Sequence, residues 1–358
     1  MLDVLAIKKA LKKIRDRFSL LDEHTNEVLT KSSKTVVVKG SALLAGMGVS
    51  VLMGRTIGPE GLGIINLAHN IVGLVLVFVL MGLDKVLIKE IAIGYENDNK
   101  QRIADLIFSS RVILIPLALV LSVIALLFYQ QIIAFFNEPM LKVPFILAII
   151  MMNIQIHSRI FGSGINGFRK IWQSNLVNNT LSTLFVLLAL VVSLIFDITI
   201  SIIHVAGYYA IGRIIVAISM GTYWKSLFKF DGRPKWVGKS MLKSGLPLLL
   251  FSTSYLIASK ADTIMLGWLS NAKEVGLYNV AFRLGSLINI LLVISISVLM
   301  PKIASLYSKK AMKVLQQMVQ NVTKALAFIG LFSLVIFIFI GKTFLSIWGE
   351  EFLDSYIP

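Results

Sequence analysis

The sequence predicts an all-α integral membrane protein of about nine transmembrane helices, on three observations. Apolar residues make up 56% of the 358, above the roughly 45–50% usual in soluble domains. Charged residues are only 15%, against about 25% in such domains. The apolar residues gather into runs near the ~20 residues that cross a ~30 Å hydrocarbon core.

Residues 1–33 come first. Lys8, Lys9, Lys12, Lys13, Arg15 and Arg17 alternate with Leu2, Leu5, Leu11, Ile14 and Phe18, the pattern of an amphipathic helix lying on anionic lipid. A secretory signal is not read here, because no small-residue cleavage site follows the first apolar run.

Helices are expected over 35–54, 63–83, 105–128, 142–161, 175–196, 199–221, 245–267, 277–300 and 322–341. The first carries Ala42, Gly46, Ser50 and Gly54 at every fourth position. Small residues so spaced let another helix pack closely, and Gly46, Ser50 and Gly54 are candidates for packing and sliding. The third contains Arg111, and Pro116 and Pro144 are possible kinks in the third and fourth. Gly162, Gly164 and Gly167 follow the fourth helix and spell GxGxxG. A dinucleotide site would need a preceding strand and an acid about 20 residues on. Neither is present, so these glycines are expected to relax a cytoplasmic turn. The fifth and sixth helices form a hairpin around Asp197, and the sixth carries Arg213. The seventh begins with Gly245 and Pro247, which suit either a bend that moves during gating or a static kink, and it also holds Lys260 and Asp262. The eighth carries Arg283.

Lys and Arg number 35 against 19 acids, a formal charge of +16. In a soluble protein that excess points to nucleic acid. Here the basic residues collect on alternate sides of the spans: the N-terminal tail; Lys85, Lys89, Lys100 and Arg102; Arg159, Arg169 and Lys170; Lys225 through Lys243; and Lys302 through Lys324. The opposite loops hold only Arg55, Lys142, Lys273 and Lys342. The positive-inside rule therefore predicts a cytoplasmic N-terminus in a cytoplasmic membrane, and no nucleic-acid partner is expected. Four segments follow: 1–33, a basic cytoplasmic amphipathic segment; 34–222, a six-helix N-lobe; 223–244, a basic cytoplasmic linker; and 245–358, a partial C-lobe of three helices. No loop is long enough for a separate extramembrane domain.

The sequence repeats itself at an offset of 213 residues, pairing helices one and two with seven and eight. Gly54 falls on Gly267, Gly63 on Gly276, Asn66 on Asn279 and Ala68 on Ala281. Parallel repeats of this kind suit a two-lobed transporter with its site between the lobes.

The repeated turns also carry a family resemblance. GRTIGPEGLGIINLA at 54–68 and GWLSNAKEVGLYNVA at 267–281 resemble the polysaccharide-transporter branch (Wzx-type oligosaccharide flippases) of the multidrug/oligosaccharidyl-lipid/polysaccharide exporters. MGLDKVLIKEIA at 81–92, SGLPLLL at 244–250, ADTIMLG at 261–267 and LMPKIASLY at 299–307 match in order and spacing. The resemblance implies two six-helix lobes, of which this chain completes the first and reaches into the second. It implies translocation of a polyprenyl-pyrophosphate-linked oligosaccharide by alternating access, for surface polysaccharide biosynthesis. The expected partners are that lipid-linked oligosaccharide, membrane lipids and other polysaccharide assembly proteins.

Ionisable groups within spans are expensive and so are candidate functional residues. Four are cations, Arg111, Arg213, Lys260 and Arg283, which are candidate anion contacts because guanidinium and ammonium groups bind phosphate oxygens. Snorkelling to the headgroups is the competing reading for each. The one acid, Asp262, is a candidate for ion coupling or a partner of Arg283. His69, His157 and His204 show no metal-ligand spacing and are expected to be packing residues. With no cysteine in the chain, thiolate metal sites and thiol nucleophiles are excluded. No cofactor or metal is expected; a proton or sodium gradient is a candidate driving force. The alternatives are a cation-coupled multidrug exporter, which predicts drug resistance dependent on Asp262, and a non-transporting membrane scaffold. A membrane enzyme would need catalytic groups gathered on one face, and none are, so no enzymatic activity is expected.

Overall fold

The structure is a computed structural model that describes residues 23–308 and 310–356. It is helical, and among the described residues seven helices are long and apolar enough to cross a membrane. The expected amphipathic segment lies mostly outside the described residues.

The first helix, α1 (Glu23–Leu80), covers 58 residues and joins the two helices expected at 35–54 and 63–83. The loop expected between them is a single residue. Gly58 sits at φ 68°, ψ −178°, a conformation essentially restricted to glycine. Pro59 follows at the first position of the second arm, where its missing N–H costs nothing. The chain folds back there. Met53 and His69 are 16 residues apart, about 24 Å along a straight helix, yet both touch Tyr209. The Tyr209 hydroxyl lies 3.9 Å from the Met53 sulfur, and its ring lies 4.6 Å from that of His69.

Next come α2 (Leu83–Glu96), α3 (Lys100–Leu127), the short α4 (Tyr129–Phe136) and α5 (Lys142–Gly167). α6 (Ile171–Asn175) runs through a π-helical stretch at Leu176–Leu181 into α7 (Ser182–Ile195), so the fifth crossing starts earlier than expected. It turns at left-handed Asp197 (φ 50°) into α8 (Ile202–Leu227), forming the predicted hairpin. His204 and Ser201 cap α8 reciprocally. The expected 223–244 linker is shorter in fact, because α8 runs to Leu227 and α9 (Gly238–Leu269) starts at Gly238. α10 (Ala272–Ser308) and α11 (Met312–Leu345) complete the bundle, with a 3₁₀ segment at Glu350–Tyr356.

The glycines at 162, 164 and 167 do not relax a turn. They lie inside α5, and the space beside them is filled by Asn178, Trp224 and Ile91 respectively. Each packs against a neighbouring side chain rather than opening a hinge, because α5 continues six residues past the end expected at 161, to Gly167.

The internal repeat is visible in the backbone. Asn66 donates to the carbonyl of Leu62 at 2.9 Å, and its repeat mate Asn279 donates to the carbonyl of Val275 at 2.6 Å. The reverse turns correspond as well. Gly58–Pro59 starts the second arm of α1, while Asn271, its repeat position, caps α10 by accepting from the backbone N–H of Glu274 at 3.0 Å.

Candidate functional site

A cavity of about 400 Å³ opens between the second arm of α1, α5, α8 and α9. Helical periodicity supplies its walls. Along α5 the lining residues Pro144, Ala148, Met151, Gln155 and Arg159 recur every three or four positions, and along α8 so do Ala206, Tyr209 and Arg213. The wall is apolar toward Pro144 and polar toward Arg159. Gly73 lines it from α1 with open space where a side chain would stand.

Arg159, Arg213 and Lys260 all line this cavity, beside His69, and no carboxylate does. Among the described residues none of the three cations makes a hydrogen bond or an ion pair. Arg213 lies within electrostatic reach of Arg159, and His69 within reach of Arg213 and Lys260. Three cations with no carboxylate among the lining residues, in a low-dielectric wall, make a field that attracts anions.

Of the four cations singled out in the sequence, Arg213 and Lys260 meet at the cavity and the other two do not. Arg111 is exposed on the surface of α3, with its guanidinium 5.3 Å from the Phe161 ring centre. Arg283 is half-buried and donates to the carbonyl of Gly46, tying α10 to the first arm of α1. Asp262 does not pair with Arg283. It accepts from the Tyr278 hydroxyl on α10 and from its own neighbour's N–H, Thr263, at 2.7 Å, and it is not part of the cavity lining.

Arg159 stands only two residues inside the expected end of helix four and so reads with Arg169 and Lys170 as one of the cations on the basic side of the membrane. The signal was available: it continues the every-third-or-fourth face of Pro144, Ala148, Met151 and Gln155. Tyr209 and Gln155 are uncharged, so no cost of burying an ion singles them out.

The small-residue stripe of α1 is filled by more than one element. Ser50 accepts from the indole N–H of Trp348 at 3.0 Å, and Gly54 faces Trp348 and Phe352. At Ser50 and Gly54 the neighbour is therefore the segment after α11, whereas Gly46 faces Arg283 of α10 and Thr183 of α7, two long helices. Pro247 lies inside α9, and the adjoining Gly245 packs against the backbone of Met81.

A profile of polysaccharide biosynthesis proteins matches residues 28–307, well over half of the chain. The chain belongs to this polysaccharide biosynthesis protein family. It is a multi-pass membrane protein of that family. No curated protein matches it significantly. Among solved structures it is similar to a multidrug resistance transporter of the MATE family in the MOP superfamily, captured inward-facing. That match has 13% identity and a TM-score of 0.71, and covers 90% of this chain and 78% of the other. It is also similar to a MATE protein in a bent conformation, at 14% identity and a TM-score of 0.59, covering 94% and 77%. The family member therefore has the MATE fold.

Proposed function

We propose that the protein is a flippase that carries a lipid-linked oligosaccharide across the cytoplasmic membrane, N-terminus inside, by alternating access, and that it is not an enzyme. The observation that supports this most is the sign of the cavity: Arg159, Arg213 and Lys260 line it without a carboxylate. A pyrophosphate joining polyprenol to glycan is the anion such a wall accommodates, because two guanidinium groups present paired N–H donors to its oxygens. The lipid tail stays in the bilayer while the head crosses between helices that rock against each other. Membership of a polysaccharide biosynthesis family supports the glycan cargo.

A cation-coupled drug exporter fits less well. It would want a carboxylate facing the cavity, and Asp262 instead serves Tyr278. The deciding experiment reconstitutes the protein in liposomes and follows movement of a polyprenyl-pyrophosphate oligosaccharide between leaflets. Arg213→Gln combined with Lys260→Gln should abolish movement while leaving the protein monodisperse. Transport unaffected in that double variant would refute the reading.

A further inference from the structure

The cavity's cations stand at two heights, and the lower one has a counter-charge of its own. α5 and α8 run side by side in the same direction, with Gly162 against Met220 and Gly164 against Trp224. That register puts Arg213 level with Gln155. Arg159 then lies one helical turn, about 6 Å, nearer the basic end of the bundle, where Gly167 packs on Ile91.

Lys260 shares the height of Arg213. Gly267 packs on Leu67, so counting back along α9 to Lys260 reaches the level of Leu74. The His69 ring packs on Tyr209, so counting on along α8 to Arg213 reaches the level of Gly73.

The lower cation also has a distinct electrostatic neighbour. α2 runs beside α5 in the same direction, with Ile91 on Gly167 and Tyr95 against Phe168, so counting back along both helices brings Asp84, in the first turn of α2, to the level of Arg159, on which its charge acts. Asp84 is half-buried, lies outside the cavity lining, and makes no hydrogen bond or ion pair among the described residues. Its carboxylate therefore offsets the charge of Arg159 from a distance without occupying its N–H donors.

We propose that Arg159 is the loading residue at the cytoplasmic mouth, that Asp84 is the internal anion with which an incoming diphosphate competes, and that Arg213 with Lys260 is the station to which the head passes. The proposal rests on the flippase reading. In the empty protein Asp84 lowers the cost of holding a bare guanidinium at that depth. A pyrophosphate outcompetes it because it brings more charge and can accept two N–H bonds from one guanidinium. A neutral or weakly charged headgroup gains too little, so the Asp84–Arg159 arrangement acts as a selectivity filter for strongly anionic lipids.

The two residues make predictions of opposite sign. The test measures binding of farnesyl pyrophosphate to the protein in nanodiscs. Arg159→Gln should weaken binding about tenfold, the loss of one charge-assisted contact, and Arg159→Lys should recover part of it. Asp84→Asn should tighten binding by about threefold or more, since a competing charge is removed. Unchanged or weakened binding in Asp84→Asn overturns the proposal, as does wild-type affinity in Arg159→Gln. If the wild type binds farnesyl pyrophosphate and only these variants behave otherwise, the flippase reading stands and the loading role falls. If the wild type binds none, both fall.

Discussion

Gly63 and Gly276 press their backbones together across the seam between α1 and α10. A Cβ built on Gly63 would stand 1.8 Å from the carbonyl oxygen of Ala272, and one built on Gly276 would stand 1.9 Å from that of Pro59. The two contacts are reciprocal under the internal repeat, which pairs 59 with 272 and 63 with 276. The repeated hairpins thus meet through their own equivalent residues, which is how two copies of one surface pack around a local twofold axis.

Gly63→Ala and Gly276→Ala should therefore each be strongly destabilising, by about 3 kcal/mol or more, because the obstacle is backbone that cannot rotate aside. The double variant should cost clearly less than the sum of the two, since the first methyl already separates the helices. Thermal unfolding in detergent checks both statements.

Trp348 should be the anchor of the segment after α11. Its side chain is 1% exposed, and its indole N–H is bonded to Ser50. Trp348→Ala should cost about 3–5 kcal/mol, whereas Ser50→Ala should cost about 1 kcal/mol. A Trp348→Ala protein with wild-type melting behaviour would contradict the packing described.

The segment between α8 and α9 should be a held strap. Gln101 donates to the carbonyl of Arg233 at 3.0 Å, Asp105 accepts from the N–H of Lys235 at 2.6 Å, and Ser109 accepts from that of Val237 at 2.9 Å. Four residues of helix rise about 6 Å and two residues of extended chain about 6.6 Å, so the two spacings stay in step. Asp105→Ala removes the central acceptor, worth about 1.5–3 kcal/mol for a charged group. Trypsin should then cut after Lys229 or Lys235 roughly tenfold faster, while Asp105→Asn, which keeps a carbonyl acceptor, should show a smaller change.

Two further substitutions separate cavity from periphery. Arg111→Gln should leave glycan export near wild type, since it forfeits only a cation–π contact worth about 0.5–1 kcal/mol. Gly73→Leu should abolish export without lowering thermal stability, because its side chain enters open cavity and replacing glycine in a helix gains roughly 0.5–1 kcal/mol. Export assayed in cells, beside melting curves of the purified variants, would show whether the two respond in this opposite way.

Hydropathy alone determined that the chain is a helical membrane bundle, and internal matching at Gly63, Asn66, Gly276 and Asn279 showed its duplicated hairpin. Both are local or translational properties: transfer free energy depends on composition along ~20 residues, and a repeat is read by sliding one copy over another. The sequence also marked Arg213 and Lys260 as costly charges. It did not distinguish them from Arg111 and Arg283, because all four sit in apolar runs and depth in a span says nothing about which side of a helix faces a hollow. That distinction belongs to the packing. The register of α5 against α8, set by Gly162 and Gly164, the ring contact of His69 with Tyr209 and the packing of Gly267 on Leu67 bring residues from four separate helices to one cavity. The same packing gave Asp262 to Tyr278 and added Arg159, since which charges share a space depends on contacts between segments far apart in the chain.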